Sequence, residues 1–160
     1  TLTNYTNISF ILNPNIVQNE KIIEGWILDN IGRNTHLDEA LGEFESFGNN
    51  MPGGYLKFMD IFGYQSLYKN FKKYKIIEVK KEDCIFPDNI NQLLGYMDWV
   101  VDNVADNDLK SVEGILVAKS FDQHTINFVN HFNSIGRRIK LVQFQYDPPS
   151  YHTLIINNII

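Results

Sequence analysis

Sulfur chemistry, long apolar runs and glycine-rich motifs are nearly absent from this sequence. Cys84 is the single cysteine in 160 residues, so neither an internal disulfide nor a thiolate-held cluster can form. No apolar run approaches the roughly 20 residues that cross a bilayer, and the N-terminus lacks the order of a secretory signal. Glycine-rich phosphate loops and a Gly-x-Ser-x-Gly motif are also missing. We therefore expect a cytoplasmic protein with no membrane partner.

The sequence is acidic overall, but its positive charges are clustered. The net charge is −5, which argues against a nucleic-acid partner because phosphate binding usually leaves a basic surface. Six lysines nevertheless fall within thirteen residues, at positions 69, 72, 73, 75, 80 and 81. A basic rim around an acidic pocket is compatible with DNA, and a solvated charged hairpin explains the first four lysines equally well.

The length favours one domain with a sizeable core. We expect a single domain over residues 1–160, with its core at about 19–146. The chain begins at Thr1 rather than at Met, so we also expect that it is a fragment of a longer protein.

The hydrophobic periodicity alternates between strand and helix patterns. It predicts, in chain order, a strand at 8–12, a helix at about 20–31 capped by Asn19, strands at 41–48 and 56–62 around a turn at 52–54, and a strand at 76–79. It then predicts a helix from Pro87-Asp88, a strand at 112–118, a helix between Asp122 and Gly136, and a strand at 139–144. Residues 64–74 fit no element, and the segment after Pro149 is predicted to be a tail or a partner-facing strand. This order predicts the α/β class, with a mixed sheet flanked by helices.

Two acids and a lysine lie where strands are predicted to end. Asp60 is in an early strand, and Glu78 and Lys80 alternate around Val79. Mg²⁺ prefers oxygen ligands and keeps several waters, so the two carboxylates and the Val79 carbonyl suit it. The Val79 side chain is expected to point into the core while its neighbours face the site. Lys80 is then placed to orient an attacking water or to stabilise charge on a phosphate.

A polar pair follows on the next helix. Gln92 and Tyr96 are four residues apart and share one helix face. Gly95 lies between them and leaves room for a strand or backbone to approach. An amide and a phenol on this face are able to hold a DNA strand or a metal-bound water beside the carboxylates.

These motifs resemble the PD-(D/E)xK nuclease superfamily, in its RecB-like branch with the Gln-x-x-x-Tyr helix. The resemblance is most specific to the C-terminal nuclease domain of NucS-type endonucleases. It extends over about 19–146 and includes residues 59–61, 77–81, 92–96 and 113–118. It implies a restriction-endonuclease-like fold and metal-dependent DNA cleavage with Mg²⁺ or Mn²⁺.

Carried over by position, the resemblance assigns a role to each matching residue. Asp60, Glu78 and Lys80 become catalytic, and Asp60, Glu78 and the Val79 carbonyl hold the metal with an acid of the first helix. That acid is Glu24, with Glu20, one turn earlier, as the alternative. Gln92, Tyr96 and Lys81 are expected to bind the substrate. The sequence departs from the family pattern in having Met59 before the Asp and a longer connection at 64–74.

The expected function is therefore a metal-dependent DNA endonuclease acting on single-stranded, branched or mismatched DNA. One alternative is a catalytically inactive module of the same fold that binds nucleic acid or protein. Another is a restriction-type endonuclease in which residues 64–74 read the DNA sequence. DNA is the expected partner, together with a second copy of the chain or an additional DNA-binding domain.

Overall fold

One six-stranded mixed sheet organises the protein. The computed structural model describes residues 20–68, 71–146 and 154–160. The helices are α1 (Glu20–Asn30), α2 (Thr35–Leu41), α3 (Asp88–Asn103) and α4 (Gln123–Ser134), with a short 3₁₀ turn at Leu109–Ser111. The strands are β1 (Ser46–Gly54), β2 (Lys57–Ser66), β3 (Lys72–Val79), β4 (Val112–Ala118), β5 (Ile139–Tyr146) and β6 (Leu154–Asn158).

The strands lie side by side in chain order. Strands β1, β2 and β3 form an antiparallel meander, β3, β4 and β5 are parallel, and β6 returns antiparallel to β5. The parallel crossovers run through α3 and α4, as a parallel connection requires. The segment after 149 therefore contains a strand that completes the chain's own sheet.

Each face of the sheet packs on its own helices. Helices α1 and α2 cover one face, and α3 and α4 cover the other. Strand β4 shows the alternation, because Ile115 and Val117 pack toward α1 while Leu116 and Ala118 pack toward α3. Both faces of the central strands are covered, which explains why all seven residues of β4 are buried. Within the described part of the chain, no helix has the length and apolar character to cross a membrane.

Most predicted elements are present at their predicted places. Helices α1, α3 and α4 and strands β4 and β5 are confirmed, and the Asp122 side chain accepts from the Thr125 amide as the predicted cap. The strand predicted at 8–12, the Asn19 cap and the break at 147–149 lie outside the described residues.

Three local predictions are wrong. Residues 52–54 belong to β1, and the turn is at Tyr55-Leu56. Residues 35–41 form helix α2, which Asn34 caps by accepting from the Leu37 amide at 3.1 Å. No element was predicted at 35–40, and the strand predicted at 41–48 begins only at Ser46. The long connection at 64–74 is mostly strand, because β2 runs to Ser66 and β3 starts at Lys72.

Gly63 allows β1 and β2 to approach. A Cβ at Gly63 would lie 2.5 Å from the Ser46 carbonyl oxygen and 2.8 Å from the Phe47 Cβ, which are backbone-fixed atoms. Gly48, on the facing strand, has no atom within 4 Å of such a Cβ.

We expect Gly63→Ala to lower the free energy of unfolding by about 1–3 kcal/mol, because the strands must move apart. Gly48→Ala is the matched control, and it should be neutral or slightly stabilising since alanine loses less backbone entropy than glycine. Urea unfolding of both variants measures the difference. Equal stabilities of the two variants would contradict the close approach at Gly63.

Candidate active site

The candidate site lies where β2 parts from β3. Their antiparallel pairing runs from Ser66↔Lys72 to Ile61↔Ile77. Beyond the last pair, the Val79 amide donates to the Asp60 carboxylate Oδ2 at 2.9 Å instead of to a backbone carbonyl of β2. Met59 packs in the α3 core while Ile61 packs in the α1 core. Alternate residues of a regular strand share a face, so β2 turns at Asp60.

Glu78 is a buried carboxylate of which only one oxygen has a hydrogen-bond partner among the described residues. It is 2% exposed, and its Oε1 accepts from Lys80 Nζ at 2.8 Å. Its Oε2 has no hydrogen-bond partner among the described residues. Burial raises the pKa of Glu78 to about 7, and the charge of Asp60 adds to the rise while Lys80 opposes it. The Val79 side chain is buried in the α1 core, so the predicted alternation is present.

Lys80 lies between the strand and α3. Its ammonium also donates to Gln92 Oε1 at 3.2 Å. Burial lowers the pKa of Lys80, but the hydrogen bond to Glu78 and the nearby negative charges outweigh that effect and raise it. The ammonium is therefore charged and held by two partners, one on β3 and one on α3.

Gln92 and Tyr96 connect this lysine to the β1–β2 hairpin. Gln92 Nε2 donates to the Tyr96 hydroxyl at 3.2 Å, and that hydroxyl donates to the Phe58 carbonyl at 2.9 Å. A Cβ on Gly53 would lie 2.7 Å from the Tyr96 ring, so the glycine makes room for the tyrosine. The predicted pair shares one face, as its spacing requires, and Tyr96 is buried.

The acids of α1 lie on two sides of the site. Glu24 is 1% exposed and accepts from Lys21 Nζ at 2.6 Å and from Asn49 Nδ2 at 3.2 Å. Glu20 accepts from the Lys81 amide at 3.5 Å, and its charge acts on both Glu78 and Lys80. Both acids are thus near the site, and the choice between them stays a prediction.

Lys21 is a site residue that sequence reasoning missed. Its ammonium contacts Glu24 and lies 3.4 Å from Asp60 Oδ1, so one cation joins two predicted metal ligands. Burial lowers the pKa of Lys21, but its contacts with the two carboxylates outweigh that effect and raise it. The Lys21–Glu24 spacing of three on a helix is a signal for this pair. The contact with Asp60 bridges 39 positions and had no local signal.

The donor set fits a hard cation that keeps water. Across the described ranges, no group of three or more His, Cys, Asp or Glu side chains is placed to hold a metal. Glu24, Asp60 and Glu78 are therefore not brought together as one group of three ligands. Asp60 and Glu78 offer carboxylate oxygens, and the buried Glu78 Oε2 has no hydrogen-bond partner among the described residues. Mg²⁺ is commonly held by one or two carboxylates with waters in the remaining positions.

Comparison with solved structures identifies the fold. A repair endonuclease from Pyrococcus abyssi superposes with a TM-score of 0.51 at 20% identity over 75% of this chain. EndoMS in complex with double-stranded DNA superposes with a TM-score of 0.51 at 18% identity over 75% of this chain. The chain has the fold of these endonucleases. This confirms the predicted restriction-endonuclease-like fold, and it confirms the resemblance to NucS-type endonucleases at the level of the fold.

The chain matches part of each endonuclease. It covers 46% of the repair endonuclease chain and 44% of the EndoMS chain, so it spans a little under half of their length. No protein-family model matches the chain, and no curated protein matches it.

We expect Asp60→Ala to destabilise the protein by about 1–3 kcal/mol more than Asp60→Asn, because alanine leaves the Val79 amide without its acceptor. The asparagine oxygen can still accept that bond while the charge is lost. Urea unfolding measures the stabilities, and hydrogen exchange at Val79 reports the bond directly. Equal exchange of this amide in both variants would show that Asp60 does not bind it.

Proposed function

We propose that the chain is a nuclease domain that hydrolyses DNA phosphodiester bonds with Mg²⁺ or Mn²⁺. The observation that carries the proposal is one continuous set of polar contacts at the point where β2 parts from β3. Asp60 accepts from the Val79 amide, Glu78 binds Lys80, and Lys80 reaches Gln92. Two acids, a lysine and a glutamine amide are thus held by contacts at this end of the sheet, and these are groups that metal-dependent phosphodiester hydrolysis would use.

The proposed roles follow from these contacts. Asp60, Glu78 and the Val79 carbonyl would hold the metal, which offsets charge on the phosphate and lowers the pKa of a bound water. Lys80, fixed by Glu78 and Gln92, orients the attacking water or stabilises charge developing on the phosphate. Because its ammonium is already positioned, little reorganisation is needed during the reaction.

The acids of α1 act from outside this group. Glu24 is bound by Lys21 and Asn49, so we assign it the tuning of the metal site through Lys21. Glu20 is the alternative acid. Gln92 and Tyr96 position the substrate and Lys80, and Lys81 contributes a positive charge near the DNA.

The substrate is proposed to be single-stranded, branched or mismatched DNA. The restriction-type alternative depended on a long loop at 64–74. Because residues 64–66 pair with residues 72–74, only a shorter connection between β2 and β3 would be available to read the DNA sequence. An inactive binding module remains the rival. We also propose a cytoplasmic location and DNA contacts from a further domain or a second copy, since the matched region covers less than half of each endonuclease.

The test is cleavage of labelled single-stranded, branched, mismatched and fully paired DNA with Mg²⁺, Mn²⁺ or EDTA. We expect cleavage with either metal and none in EDTA. Lys80→Ala should lower the rate by roughly 10²–10³-fold, as for removal of one positioned group that stabilises the transition state. Asp60→Asn should abolish cleavage because a metal ligand charge is lost.

Glu113→Gln is the matched control. Glu113 is also a buried carboxylate, on neighbouring β4, but it is bound by Lys73 at 2.7 Å and Lys140 at 3.4 Å. It pairs with Lys75, three residues before Glu78. We expect this variant to be less stable yet to cleave DNA at the wild-type rate while folded. Binding of DNA by the wild type without cleavage in either metal would favour the inactive module.

A further inference from the structure

Gly95 is a glycine inside a helix with no packing partner. It lies in the middle of α3, where glycine is about 1 kcal/mol less favourable than alanine. A Cβ added there would meet no atom within 4 Å. The approach of a strand or backbone expected at this position is therefore absent among the described residues. Among the described residues, nothing fills the space beside Gly95.

That space is part of a groove between α3 and the β1–β2 hairpin. The groove has a volume of about 740 Å³, within the range of sites that bind small organic groups. Its lining residues are Gly53, Gly54, Tyr55, Lys57, Asp88, Asn91, Gln92, Gly95, Tyr96 and Trp99. Gln92 also contacts Lys80, so the groove is continuous with the candidate site.

Aromatic rings lie on both sides of this groove. Tyr55 is at the hairpin tip and is 90% exposed, and Trp99 lies on α3. The neighbouring Leu56 has a φ of 54° and is 77% exposed. A bulky residue in this conformation is strained, and the tight turn between β1 and β2 imposes it. Trp99 is half-buried against the α3 core, and Tyr55 is the exposed ring of the two. Aromatic side chains at a groove can stack on nucleic-acid bases.

We propose that the groove holds one unpaired nucleotide of the DNA strand, next to the phosphate that is cut. Its base stacks against Tyr55 and Trp99, and Asn91 is available for hydrogen bonds to the base edge. Lys57 supplies the positive charge for the adjacent phosphate. The inference rests on the proposed nuclease function, because it places the scissile phosphate beside Lys80.

Gly95 and the charges of the lining fit this occupant. A flat base can lie over Gly95, where any side chain would compete for the space. Asp88 is acidic and repels a phosphate, so the backbone is expected on the Lys57 side and the base toward α3. A nucleotide paired within a duplex is already stacked and cannot enter without unpairing. The groove therefore selects DNA with an unpaired nucleotide.

The test is equilibrium binding in EDTA, where no cleavage occurs. Fluorescence anisotropy compares three oligonucleotides of one sequence, namely fully paired, with a single unpaired nucleotide, and single-stranded. We expect the wild type to bind the second and third more tightly than the first. Tyr55→Ala should reduce that preference by roughly 5- to 150-fold, the range for one stacked base. Gly95→Leu should remove it by filling the groove.

Stability measurements separate lost binding from lost folding. Gly95→Ala should raise the urea midpoint, because alanine favours the helix and meets no atom, while it weakens binding of the unpaired DNA. Asp102→Ala, at an exposed position of α3 outside the groove, is the control and should leave binding unchanged. Equal affinity for paired and unpaired DNA, or unchanged preference in Gly95→Leu, would overturn the proposal. A preference that survives without cleavage in any metal overturns the nuclease function alone.

Discussion

The hydrogen bond from the Val79 amide to the Asp60 carboxylate is the constraint on which the site depends. Strand β2 stops pairing with β3 after Ile61, and an amide left unpaired inside the sheet would cost about 1–3 kcal/mol. Asp60 supplies the missing acceptor with its side chain. The Val79 amide therefore stays hydrogen-bonded where the two strands separate. The same bond places the Asp60 carboxylate near Glu78.

A second set of contacts keeps that opening in shape. Lys80, Gln92 and Tyr96 form a series of hydrogen bonds that ends on the Phe58 carbonyl of β2. Helix α3 is thereby joined to the strand that has turned away from β3. Each side chain in the series is hydrogen-bonded to the next, and these bonds restrict the position of the Lys80 ammonium. Preorganised polar groups of this kind are the main means by which enzymes stabilise developing charge.

Local sequence patterns predicted those elements, and those candidate site residues, whose positions in the sequence are regularly spaced. The alternation around Val79 and the four-residue step from Gln92 to Tyr96 fix side-chain directions within one element, and both are present. Helix α2 was missed because seven residues give little periodicity and its apolar residues complete a core built by distant strands. Lys21 was missed because its contact with Asp60 arises only when α1 packs on the sheet. Non-local contacts of this kind have no signature in a sequence window.

Two buried carboxylates on neighbouring strands, Glu113 and Glu78, differ in how well their charges are compensated. Glu113 has two lysine partners, at 2.7 and 3.4 Å, and its charge is compensated within the chain. One oxygen of each carboxylate lacks a hydrogen-bond partner among the described residues, but that of Glu113 lies 3.4 Å from Lys140. Glu78 has one lysine partner there and an acidic neighbour in Asp60. A buried charge is costly unless it is paired with an opposite charge. Of these two carboxylates, Glu78 is therefore the one with too little positive charge beside it. A divalent cation would supply the charge that is missing there, which is why metal binding is proposed at Glu78 and a structural role suffices for Glu113.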